Sequence, residues 1–141
     1  MTMLEYRFSP RFSDLDSYGH VNNAVYATYF EMLRTQWLKH EEWKEVLDEH
    51  GTVGFVIVHL EIDFLSPIFF DNEILGKIYV SRIGGKSWDF SYELINPADG
   101  SRYATGLTTQ VLIDRREGRS IRLPQETIDS LQKYHLTPPA N

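Results

Sequence analysis

Two periods of apolar residues run along this chain, and the point where one gives way to the other divides it. Residues 4–9 alternate loosely and predict a first strand, followed by a polar loop over 11–22. Val25, Tyr29, Leu33 and Trp37 then recur at spacing four, and Tyr26 and Phe30 widen the stripe. That pattern predicts a largely buried helix of about 15 residues. Asn22 or Asn23 suits its N-cap, because an asparagine side chain accepts from the free amides of a first helical turn. The segment HEEWKEVLDEHG predicts a short second helix that buries Trp43, Val46 and Leu47 and stops at Gly51.

From Thr52 the period becomes two. Val56, Val58, Leu60, Ile62 and Phe64 share one face of a long strand that Ser66-Pro67 ends. Residues 73–83 form the next strand, turned by IGGK. In SWDFSYEL, Trp88, Phe90, Tyr92 and Leu94 point inward, and Ser87, Asp89, Ser91 and Glu93 outward. NPADG is a turn signal. Tyr103, Thr105, Leu107, Thr109, Val111 and Ile113 line one face of the last long strand, DRREGRS turns the chain again, and residues 124–135 predict a short helix with Pro124 near its start. A strand, a buried helix and then four strands with tight connections predict an α+β fold: a curved, mostly antiparallel sheet wrapped around one long central helix. One sheet covers a helix incompletely, so a homodimer that pairs sheet edges or shares a cleft is expected.

The length of 141 residues fits one domain spanning 1–141, and no linker, repeat or low-complexity tract interrupts it. A net charge of -6 argues against nucleic acid as a partner, since phosphate contacts need clustered Lys and Arg. The chain has no cysteine, so disulfides, thiolate metal sites and a cysteine nucleophile are excluded. Neither a signal peptide nor a membrane span is evident, and a cytoplasmic location is expected.

The candidate chemistry concentrates in FSDLDSYGHVNN, just before the long helix. Asp16 lies in the loop, and Gly19 permits a tight turn or a close ligand approach. The helix start supplies unpaired amides able to polarise a carbonyl and hold an oxyanion. A carboxylate opposite could activate water or attack directly. By residue type alone, Asp14 and Asp16 serve equally as turn residues, His20 as a loop or core residue, and Asn22 and Asn23 as caps.

The stretch SDLDSYGHVNNAVYATYFEMLRTQWL resembles the signature of the hotdog-fold acyl-CoA thioesterases, in particular the 4-hydroxybenzoyl-CoA thioesterase-like group, and is similar to the D-x-H-V-N-N stretch of acyl-ACP thioesterases. The order of elements matches over residues 4–125. The resemblance implies that Asp16 is the catalytic carboxylate and that the thioester carbonyl sits at the helix start, with the backbone amide of Asn23 as donor. His20 matches the histidine of the acyl-ACP enzymes, but Tyr18 stands where those carry a catalytic asparagine, which favours the CoA group. It further implies dimers, often paired into tetramers, and no cofactor besides the CoA of the substrate. An acyl pocket would draw on Tyr26, Tyr29 and Phe30.

For the CoA phosphates, SRIGGKSW offers Arg82, Lys86 and Ser87 with exposed glycine amides; DRREGR offers Arg115, Arg116 and Arg119. Glu31 and Arg34 are spaced for an ion pair, and Glu31 could instead orient water or the acyl group. His59, Glu61 and Asp63 share a strand face, but same-face neighbours stand roughly 7 Å apart, so a solvated or interface face is expected and no metal. Two other readings keep the fold: an enoyl-CoA hydratase using Asp16 and His20, and a non-catalytic acyl-CoA-binding domain. YGHVNN continuing into the helix matches the thioesterases better.

Overall fold

The computed structural model describes residues 3–137. Its centre is helix α1 (Tyr26–His40), which buries Tyr26, Tyr29, Phe30, Leu33, Trp37 and Leu38. A 3-10 turn, Asn23–Val25, leads into it, and the cap is Asn22, whose side chain accepts from the amide of Ala24 at 2.9 Å. Helix α2 is a single turn, Lys44–Leu47, and Leu47 is exposed rather than buried.

The strands are β1 (Leu4–Phe8), β2 (Val53–Phe64), β3 (Ile74–Ile83), β4 (Ser87–Ile95), β5 (Arg102–Asp114) and the short β6 (Arg119–Ser120). They form one antiparallel sheet in the order β1-β3-β4-β5-β2, with β6 beside β5. Tight connections join β3–β4, β4–β5 and β5–β6, but not β2–β3. The expectation of four strands in series is corrected at β2, which pairs with β5 at the far edge. Residues 65–73 carry the chain back across the sheet.

Trp88, Phe90, Tyr92 and Leu94 of β4 are all buried, as the alternation requires. Strand β2 departs from its expected single face. The register against β5 slips between Ile57 and His59, and a one-residue slip inverts every side chain beyond it. Phe55, ahead of the slip, packs on Trp88, and Phe64, beyond it, packs on Tyr26. Val56 and Val58 therefore do not share a face with Leu60, Ile62 and Phe64. In β5, the row Thr105 to Ile113 does share a face, but it is half-exposed, and the row against α1 is Ala104, Gly106, Thr108, Gln110 and Leu112.

The helix settles deep because two sheet positions lack a side chain. A Cβ on Gly76 would lie 2.6 Å from Cδ2 of Leu33, and one on Gly106 would collide with the Phe30 ring. Phe30 also stacks on Tyr92 with ring centroids 4.3 Å apart. Helix α3 (Gln125–Gln132) closes the far end. Ser130 Oγ donates to Glu41 Oε1 at 2.7 Å, and the Tyr134 hydroxyl donates to Glu41 Oε2 at 3.1 Å. Burial alone would raise the Glu41 pKa, but these hydrogen bonds and Lys133 hold it below the ordinary carboxylate value. A single helix held in a curled antiparallel sheet is the hotdog arrangement.

Candidate active site

The loop before α1 is a small fixed structure. Leu15 and Val21 form an antiparallel bridge, and the Asp16 amide donates to the His20 carbonyl at 2.9 Å. Between them Gly19, at φ 83, makes the turn. The Val21 amide donates to the Ile68 carbonyl at 2.8 Å, and His20 bridges Phe69, so the 65–73 connection holds the loop from outside.

Within this frame the two aspartates of DLD have opposite surroundings. Asp14 is buried, and its carboxylate receives the Arg11 amide at 2.9 Å, the Arg11 guanidinium at 3.2 and 2.9 Å, and the Tyr29 hydroxyl at 2.7 Å. Burial alone would raise its pKa; those donors outweigh it and hold Asp14 below the ordinary value. Burial and the contact with Asp14 push the Tyr29 hydroxyl up in turn. Every acceptor direction that matters at Asp14 is occupied, so it fastens the loop to the helix.

Asp16 is freer. Its Oδ1 accepts the Tyr18 amide at 2.9 Å, and its Oδ2 faces His20 Nδ1 at 3.6 Å, beyond hydrogen-bond length. His20 Nδ1 also lies 3.4 Å from the Val21 carbonyl. At the helix start, the Ala24 amide is taken by the Asn22 side chain and the Val25 amide by the Asn22 carbonyl. The Asn23 amide has no acceptor among the described residues. A free amide with the helix's partial positive charge behind it, together with a carboxylate bearing unfilled lone pairs, has the polarity needed for attack on a carbonyl.

The model of the thioesterase-like superfamily matches residues 10–131. The chain belongs to that superfamily. The chain is 27% identical to the long-chain acyl-CoA thioesterase FadM of Escherichia coli, over 84% of this chain and 89% of that one. It is 28% identical to a 1,4-dihydroxy-2-naphthoyl-CoA hydrolase of Nostoc punctiforme, over 90% and 85%. Among solved structures it superposes on the PA5185 protein of Pseudomonas aeruginosa with a TM-score of 0.85 and 27% identity, covering 94% and 91%. The superfamily and the named relatives agree on thioester hydrolysis as the reaction class, and this chain is a thioester hydrolase.

The other residues singled out in the sequence are spread around this thioesterase fold. Tyr26 is buried and packs edge-on against Phe64 at 4.9 Å, so it is core rather than open pocket wall. Glu31 and Arg34 do not pair: Arg34 Nη1 turns to the Tyr92 hydroxyl at 3.3 Å. Arg82 forks onto Asp89 at 3.0 Å twice and reaches Ser87 Oγ at 2.9 Å, which neutralises it within the sheet. Lys86 is exposed, and its ammonium donates to Ser120 Oγ at 3.4 Å. Arg115 donates to the Val46 and Gly51 carbonyls, and Arg119 pairs with Glu117. His59 meets Glu61 at 2.9 Å on the exposed edge strand.

Sequence reasoning missed the tie between Tyr29 and Asp14, fifteen residues apart, which no local pattern encodes. It also missed the aromatic rim beside Asp16. Phe12 and Phe70 meet edge to face at 6.1 Å, and Tyr18, His20 and Phe69 form a ladder with spacings of 6.1 and 6.4 Å. The run Ile68-Phe69-Phe70, in a connection between strands, was the available signal.

Proposed function

We propose that the chain hydrolyses an acyl-CoA to the free carboxylic acid and CoA, with Asp16 as the catalytic carboxylate. The observation that carries this is the pairing of a partly free Asp16 with the unclaimed Asn23 amide, next to an aspartate that is fully engaged elsewhere. The carbonyl oxygen accepts from the Asn23 amide. Asp16 then takes a proton from water as the water oxygen adds to the carbonyl carbon, or adds to that carbon itself. Collapse of the oxyanion breaks the carbon–sulfur bond, and CoA leaves as a thiolate that gains a proton; where Asp16 itself has added, water then cleaves the acyl-aspartyl anhydride, which releases the acid and restores the Asp16 carboxylate. The Tyr18 amide holds Asp16 in place, His20 lies beside its Oδ2, and Gly19 gives the substrate room.

Lys86 is the basic residue of its turn that keeps its charge outward, which supports it as the contact for a CoA phosphate; Arg82 and Ser87 hold that turn in shape. Strand β2 is paired on one side only and exposes Val56, Val58 and Leu60. These support association with a second copy along that edge, as a homodimer or a dimer of dimers. No helix among the described residues is long and apolar enough to cross a membrane, and the cytoplasmic setting expected from the sequence belongs to the same reading.

The test is CoA release from a panel of acyl-CoAs, read with a thiol-reactive dye. Turnover should be lost in Asp16→Asn, which stays folded, and KM should rise in Lys86→Ala. Full turnover in Asp16→Asn would remove Asp16 from the mechanism. Loss of an enoyl absorbance without CoA release would replace hydrolysis by hydration.

A further inference from the structure

A cavity of about 500 Å³ opens at the end of α1 opposite the Asn23 amide, between α2, α3 and the start of β2. The helix, fifteen residues at about 1.5 Å each, keeps it roughly 20 Å from that amide. Its apolar lining includes Trp43, Val46, Val53 and Leu112. Trp43 is pinned there: its ring meets Trp37 and Trp88 edge to face at 5.1 and 5.4 Å, and its Nε1 donates to Ser130 Oγ at 3.0 Å. The volume is that of a small-molecule site rather than of a bed for a partner chain.

The charges around this apolar lining are mostly negative. Five carboxylates line the cavity, against the ammonium groups of Lys44 and Lys133. Lys133 is taken by Glu41 at 3.3 Å, while Glu45 accepts from Thr52 and Asp129 from Gln125. Glu42 and Glu126 make no ion pair among the described residues. Glu42 also stands where the backbone favours another residue. Its amide donates to the Lys39 carbonyl at 3.2 Å, and the Trp43 amide donates to the Leu38 carbonyl at 3.0 Å. These two bonds form a Schellman ending, whose turning residue is commonly glycine because it must take a positive φ. Glu42 takes it, at φ 59; the other positive-φ positions among the described residues are Gly19, Gly100 and Gly118. Glu42 thus gives up local stability, and its side chain becomes part of the cavity wall.

We propose that this cavity binds an organic ammonium compound, with the apolar body against Trp43, Val46, Val53 and Leu112 and the charged nitrogen beside Glu42 and Glu126. An anion would meet a surplus of carboxylates. A neutral body of the same shape would strip water from Glu42 and Glu126 and return no charge. An ammonium group donates to them and offsets the surplus. The site is separate from the thioester chemistry at the other end of α1.

The test titrates three compounds that share an indole ring, tryptamine, tryptophol and indole-3-propionate, into the full chain by calorimetry. Tryptamine should bind about tenfold more tightly than tryptophol, and indole-3-propionate should not bind. Glu126→Gln and Glu42→Gly should each weaken tryptamine about fivefold. Glu49→Gln, which removes an equal charge outside the cavity, should leave its binding unchanged. Glu42→Gly should at the same time raise Tm by about 2–4 °C, because glycine suits φ 59. A lowered Tm would mark Glu42 as a residue kept for the fold and overturn the inference. So would an absence of tryptamine binding at millimolar concentration, equal binding of tryptamine and tryptophol, or an equal loss in Glu49→Gln and Glu126→Gln. Asp16→Asn should bind tryptamine as wild type does, so the outcome stands whether or not thioesters are hydrolysed.

Discussion

In Asp14→Asn, the carboxylate on which Arg11 and Tyr29 converge becomes an amide. One oxygen can still accept, but the new NH2 group faces the Arg11 amide or the buried Tyr29 hydroxyl, while the exposed Arg11 guanidinium can turn to water. Hydrogen bonds to a charged group contribute about 1.5–3 kcal/mol each, and losses within one cluster are not additive. A net loss of about 3 kcal/mol follows for a site this buried. At about 3–4 °C per kcal/mol for a chain of this size, Tm should fall by about 10 °C in scanning calorimetry near neutral pH. The pH dependence has a definite sign. The folded pKa of Asp14 is depressed, so its stabilisation is fully present above the ordinary carboxylate value of 3.8 and is lost as pH falls through the folded value. The gap between wild type and variant should therefore narrow in acid. Below its lowered Tm, Asp14→Asn should still turn over substrate. A variant with wild-type Tm and no turnover would refute the division of labour between the two aspartates and exchange their roles.

Two further outcomes follow from the packing and the open edge. Gly106→Ala places a methyl against the Phe30 ring and should cost about 1–3 kcal/mol, read as a lowered urea midpoint with an unchanged m-value; an unshifted midpoint would mean that the ring is free to give way. Val58→Lys puts a charge on the exposed edge strand and should move the mass measured by light scattering toward that of one chain of 16.5 kDa. An unchanged oligomeric mass would place the association elsewhere.

The long helix, its asparagine cap and the inward row of β4 were legible because each is a local period or a local hydrogen bond. What was not legible depends on a single residue out of step or on a partner far along the chain. The slip beside Val58 turns a run of five apolar residues from one face into two, and nothing in the alternation marks it. The connection over 65–73 is short enough to look like a turn, yet it spans the sheet. Asp14 and Asp16 are the same residue type in the same tripeptide. Only the fold brings Tyr29 to one of them and leaves the other facing His20. Glu31 and Arg34 show the limit of spacing rules in another way. Helical geometry allowed the pair, but the buried Tyr92–Thr108–Gln110 chain needed a donor at its outer end, and Arg34 supplies it.

The seating of α1 on Gly76 and Gly106 also fixes a distance. The helix is a rigid rod whose height above the sheet is set by two points of contact between rings or methyls and bare backbone. The 3-10 turn that leads into it, with the Asn23 amide, is carried at that same height, while Asp16 is held by a loop stitched to Ile68 and Phe69. The gap between the two groups is therefore a difference between two independent anchorages. A misplacement of about 1 Å can cost a hundredfold in rate. Residues that never meet a substrate, in the middle of two strands, thus act as the shims that set the alignment of the reacting groups.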